Sequence, residues 1–146
     1  MSAPTLSKSA AAVAWTCQCA AAAILAQTLY FKFSAAPEPV YIFSTLGAEP
    51  WGRLGTGVAE LAVALALLVP RTAALAALAS MGMMLGALGA HLTRLGVEIR
   101  LPGAAQGDGG LLFVLAAVTL LASAVVAWLR RASLPWVGAR LAARRS

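Results

Sequence analysis

Charge is scarce in this chain. Its 146 residues include five acids, eleven lysines and arginines, one histidine and two cysteines, and 61% are hydrophobic. A soluble domain of this length could not cover so large an apolar fraction, so the composition excludes that class and indicates one integral membrane domain. One histidine among scattered carboxylates offers no metal-ligand spacing, so no metal centre is expected. Cys17 and Cys19 are not the C-x-x-C of redox proteins. On one helix they point about 160° apart, so they cannot pair within it and read as inert buried thiols. A phosphate loop, a nucleophile with its base, and haem or flavin signatures are all missing, so no catalytic residue and no cofactor is evident.

The net charge of +6 does not point to nucleic acid. Five of the basic residues, Arg130, Arg131, Arg140, Arg144 and Arg145, follow the last apolar run, where they suit anionic lipid.

Four apolar runs are present. The polar start, residues 1–9, carries Lys8, and the first span covers about 10–31, too long for a typical signal core and therefore an uncleaved helix. Tyr30, Phe31 and Phe33 flank Lys32 at its end as an interface belt. Pro37-Glu38-Pro39 is expected to break the chain, and Val40 to Leu46 to form a short amphipathic element at the membrane surface. The second span covers about 52–69 and turns at Pro70-Arg71 into the third, about 72–90. Gly82 and Gly86 with Ala79 and Gly89 predict a close-packing seam on that helix. A polar connection leads to Asp108, suited to cap the fourth span, 111–129, where Gly109-Gly110 admits a nearby backbone. Residues 130–146 form a basic tail, and Trp128 just before it with Trp136 inside it suggest a short membrane-surface helix. The expectation is an all-α integral membrane four-helix bundle.

Orientation follows from charge. With four spans, one side holds Lys8, Arg71 and the five tail arginines without an acid. The other holds Lys32, Arg53, Arg94 and Arg100 with four acids. The positive-inside rule places both termini in the cytoplasm.

Glu60 is the exception inside the second span. It lies about 13 Å along the helix from Trp51, near mid-membrane. A carboxyl there costs about 2.5–3.5 kcal/mol to insert, so it needs a partner or water. Arg53, Thr56, Gly57 and Glu60 share one helical stripe, while Lys32 and His91 end at the same outer level and Gln27 lies deeper. Lys32, Glu60, Arg53, Gln27 and His91 are therefore the candidate ligand pocket, open to the outer side. The alternative is that Glu60 is paired only to lock helix register.

Four segments in order resemble the DoxX family, over roughly residues 20 to 130. They are Lys32 closing the first span, Phe43-x-x-Leu46-Gly47-x-x-Pro50, Gly57-Val58-Ala59-Glu60-Leu61, and Gly107-Asp108-Gly109-Gly110-Leu111-Leu112. The resemblance implies a small bacterial inner-membrane protein of four helices, with Lys32 and Glu60 as family-type polar positions and His91 and Asp108 as weaker ones. It implies a membrane subunit of a thiosulfate:quinone oxidoreductase, or a membrane partner of thiol-redox and oxidative-stress proteins. Distant eukaryotic relatives act as chaperones or cargo receptors. The leading expectation is a non-catalytic subunit of a redox or quinone-linked system, with quinone as ligand, lipid and a redox protein as partners, and homo-oligomers allowed. A scaffold or chaperone-like protein is the alternative, and a small proton-coupled transporter the third.

Overall fold

The computed structural model describes residues 6–134 and 137, and among them the regular structure is all helical. Residues 135, 136 and 138–146 lie outside the described residues, and so does the surface helix expected around Trp136. Helix α1 spans Lys8–Phe33, a turn longer than the expected 10–31. Ser7 caps it, its hydroxyl accepting from the Ala10 N–H at 3.2 Å, and so recruits Lys8 and Ser9 into the first turn.

Helix α2 spans Pro37–Thr45. The expected break at Pro37-Glu38-Pro39 is instead the start of this helix. A proline at the first helical position sacrifices only an N–H that has no partner there, and its φ is already helical. Helix α3 spans Trp51–Leu67 and α4 spans Ala73–Ala90. The chain does not stop at His91 but widens into a π-helical turn, His91–Leu95, and ends at Gly96 with φ of 83°. Helix α5 spans Leu111–Leu129, as the apolar run predicts, followed by a 3-10 turn at Arg131–Ser133.

Three of these stretches are long and apolar enough to cross a membrane: Lys8–Phe33, Ala73–Leu95 and Leu111–Leu129. Helix α3, at 17 residues, reaches only about 25 Å. It nonetheless packs with the other three. Helix α1 lies against α3 and α5, and α4 lies against α5 and α3, so the four form a closed ring. Large apolar side chains such as Val58, Leu65, Leu75, Leu121 and Trp128 point away from this ring, the distribution expected where the outer surface meets lipid.

The ring's centre is built largely from alanine. Ala14, Ala21, Ala22, Ala64, Ala73, Ala74, Ala76 and Ala77 are all buried, with Leu25, Leu67 and Val126 filling the space between. Small side chains let helices approach until their backbones pack, which replaces the hydrophobic drive that lipid removes. Ser123 meets Ser80 at 2.9 Å between hydroxyls, joining α5 to α4. Gln18, fully buried, donates its amide to the Leu67 carbonyl and accepts from the Arg130 guanidinium.

The glycine seam on α4 does not pack inside the chain. A Cβ added at Gly82, Gly86 or Gly89 would meet nothing within 4 Å. The inward face of α4 is the other one, carrying Ala77, Ser80 and Met84. The spacing is right for a seam, but periodicity cannot say which of two small-residue faces turns inward.

Candidate functional site

The site begins with how α1 reaches α3. Gly57 has no side chain, and a Cβ there would stand 3.1 Å from the Phe33 ring. That gap lets the end of α1 settle onto α3 one turn before Glu60. Thr28 and Lys32, four residues apart, then face Glu60 together. Lys32 Nζ lies 2.7 Å from Glu60 Oε2 and the Thr28 hydroxyl 2.9 Å from the same oxygen. Lys32 Nζ also donates to Thr28 Oγ1 at 3.1 Å. The Lys32 and Glu60 side chains are 14% and 9% exposed, so this pair is largely withdrawn from solvent. In so dry a setting each charge depends on the other, since an unpaired one would be strongly destabilising.

This pair borders a half-open cavity of about 670 Å³ lined by α1, α3, α4 and α5, with residues of α2 also in its wall. The wall is mainly apolar, with Leu25, Phe31, Ile42, Met83, Met84 and Leu115 among its residues. Its polar positions are Gln27, Thr28, Lys32, Glu38, Thr56, Glu60 and His91. A large apolar space with a few convergent polar groups is the usual form of a small-molecule site.

Four of the five candidate pocket residues, Lys32, Glu60, Gln27 and His91, therefore line one space. Arg53 does not line it. Its guanidinium turns the other way, to Glu49, with Nη2 at 2.7 Å from Oε1 and Nε at 2.8 Å and 3.0 Å from the two oxygens. It also donates to the Lys32 carbonyl, one of the last carbonyls of α1. Arg53 and Glu49 form an i,i+4 pair, an alternative the shared stripe with Glu60 concealed. Arg53 thus ends α1 and fixes the lysine backbone rather than facing the cavity.

Two cavity residues were missed. Thr28 was legible, one helical turn before Lys32. Glu38 was not, because its flanking prolines read as a break. Burial, then the negative charge of Asp108, pushes the Glu38 carboxyl above its ordinary range.

His91 is buried, its Nδ1 2.7 Å from the Gly96 carbonyl, and its ring meets Phe113 edge-on at 5.7 Å. A carbonyl only accepts, so Nδ1 carries the proton. The π turn beginning at His91 brings Gly96 back to it, and Asp108 holds the following loop. Its carboxylate accepts from the N–H groups of Ile99 at 2.7 Å, Gly110 at 3.0 Å and Leu112 at 3.0 Å. Burial would raise the Asp108 carboxyl, but these backbone donors outweigh it and hold it below the usual range. Asp108 thus caps α5 as expected, from two residues ahead of the N-cap position, Gly110. Gly110 takes φ of 79°, a left-handed backbone that favours glycine. A side chain there would only reach ordinary contact with Val97, so the expected close backbone approach is not what requires it.

Cys17 is half-buried and Cys19 exposed, and both are free thiols. Among the described residues no three metal-ligating side chains come together.

Comparison with known proteins gives one family. The model of the DoxX-like family matches residues 16–106, most of α1 through the loop after α4, and includes Lys32, Glu60 and His91. The Gly107-to-Leu112 segment, part of the likeness read from sequence, lies beyond the match. No curated protein and no solved structure matches the chain. With more than half of its 146 residues matched and three helices apolar enough to cross a membrane, the chain is a membrane protein and belongs to the DoxX-like family.

Proposed function

We propose that this protein is a non-catalytic membrane subunit or accessory protein that holds a quinone-class molecule for a redox system of the bacterial inner membrane. The observation that carries this reading is the Lys32–Glu60 pair at 2.7 Å, set in the wall of an otherwise largely apolar cavity of about 670 Å³. A structural pin needs no space beside it. A quinone head needs an apolar slot with a few polar atoms, and its isoprenoid tail needs a route to lipid. In this reading α3 is the fourth span, since it closes the ring, and both termini are cytoplasmic because the basic residues gather on that side.

The test is native mass spectrometry of protein extracted gently with its lipids, for the wild type, Glu60→Gln and Ala87→Leu. Ala87 lines the cavity apart from the ion pair. A quinone-class mass on the wild type that is lost in both variants, each with an unchanged helical signal, supports the reading. A ligand-free wild type, or retention in both variants, ends it.

A second reading has its own observation. Ala79 and Gly82 form an exposed small-residue patch on α4 with no packing partner among the described residues, while Gly86 borders the cavity. Such patches suit close contact with another membrane helix, in a redox partner or a second copy, as a scaffold or chaperone-like protein would use. A co-purifying polypeptide lost on Gly82→Leu and kept in Glu60→Gln favours this reading.

A further inference from the structure

The hydrogen bonds of the polar pair are one-sided. Every bond Glu60 makes falls on Oε2, from Lys32 and Thr28. No hydrogen bond within the described residues reaches Oε1, and this oxygen is not among the fully buried unpartnered atoms. The Lys32 ammonium has three N–H groups and spends two, on Glu60 and Thr28. The pair therefore retains one free acceptor and one free donor beside the cavity it lines.

His91 adds to this pattern. Its Nδ1 hydrogen is committed to the Gly96 carbonyl, which in that tautomer makes Nε2 the acceptor, and no hydrogen bond within the described residues reaches that atom. Glu38, also on the wall, is a carboxylate acceptor when ionised. The remaining polar groups contribute little. Thr56 bonds back to the Gly52 and Arg53 carbonyls of its own helix. Gln27 brings both a donor and an acceptor and favours neither kind of ligand.

The unspent capacity is thus weighted toward acceptors. A ligand carbonyl could satisfy the spare lysine N–H but would leave Glu60 Oε1 and His91 Nε2 bare, and would repel them at close approach. A ligand hydroxyl accepts from Lys32 and donates to Glu60 Oε1 at once, and a second hydroxyl can donate to His91. Sites with buried polar groups reject ligands that leave those groups unpaired.

We infer that the cavity selects hydroxyl-bearing apolar molecules, so that the reduced hydroquinone binds in preference to its own quinone. This rests on the reading above that the cavity takes a quinone-class ligand, and adds which redox form it holds. The protein would then act as a holder of the reduced carrier.

The experiment uses purified full-length protein in lipid nanodiscs, titrated anaerobically with three probes that share one alkyl tail. They are the 1,4-hydroquinone, the matching 1,4-benzoquinone, and the hydroquinone dimethyl ether, which keeps the aromatic ring and its two oxygens and loses both O–H donors. The expected order is hydroquinone tightest, by about tenfold or more over the other two, which follows from a single hydrogen-bond difference of roughly 1.4 kcal/mol. Glu60→Gln should shrink that ratio, because its amide oxygen is a weaker acceptor than a carboxylate. His91→Phe, which keeps the ring and its packing on Phe113, should shrink it further. Equal affinity for the three probes, or tighter quinone, overturns the inference while leaving a quinone-class site standing. Failure of all three to bind overturns both.

Discussion

The two ends of the helix ring solve the same problem in opposite ways. Around Gln18, α1, α3, α4 and α5 close until alanines touch, and the one buried amide is used twice, toward the Leu67 carbonyl and Arg130. Around Glu60 the same helices stand apart, line a half-open space of about 670 Å³, and bring polar atoms to it with bonds to spare. Side-chain size accounts for the difference. The packed end draws on Ala14, Ala21, Ala73, Ala76 and Ala77. The open end has Phe31, Met83, Met84, Leu112 and Leu115, which hold backbones apart without filling the gap, and α2 adds to its wall. A protein that needed only to be stable would repeat the packed end. The hollow one marks where function is to be sought.

The largest effect should come from breaking charge balance at the open end. Lys32→Met leaves Glu60 buried and unpaired and should cost about 3–5 kcal/mol, read as unfolding in detergent or as lost expression. Lys32→Met combined with Glu60→Leu should recover most of that loss, as a double-mutant cycle would show. A double variant no more stable than Lys32→Met would mean that the pair is not the unit the geometry suggests.

Next comes a matched pair of enlargements. Ala77→Leu, at a fully buried site in the packed end, should destabilise by about 1–3 kcal/mol through overpacking. Ala87→Leu grows into the cavity and should change thermal stability little while lowering ligand occupancy. Equal melting temperatures for the two would remove the contrast between the ends.

Gln18→Leu should be milder, about 0.6 and at most about 1.7 kcal/mol, the range measured for hydrogen bonds between membrane helices. Its signature should be loosening at the Arg130 end, seen as faster amide exchange after Val126 with the Lys32 end unchanged.

The smallest effect is one of acid titration. The folded state holds the Asp108 carboxyl below its ordinary value of 3.8, so its contribution is complete above that pH and is lost as pH falls through the lower folded value. Stability in acid should therefore decline below pH 3.8 in the wild type and less in Asp108→Asn. Identical acid profiles would show that the loop cap carries no such linkage.

Much of this protein was decided by composition and order alone. The all-helical class and the membrane setting follow from long apolar stretches, because lipid forces backbone groups to bond within a helix. The end of α5 and the capping role of Asp108 were legible because such signals act over a few residues. The importance of Glu60 was equally plain, since a lone acid in an apolar run must find a partner. Tertiary structure decided what no local pattern carries. It chose Lys32 and Thr28 as that partner and sent Arg53 to Glu49, although one stripe holds Arg53 and Glu60 together. It turned Ala79 and Gly82 outward and buried Ser80, made a helix start of Pro37, and drew Glu38 into the wall of the cavity. Periodicity says which residues share a face. Which face turns inward, and which of two nearby charges a carboxylate meets, depends on neighbours far away in the chain.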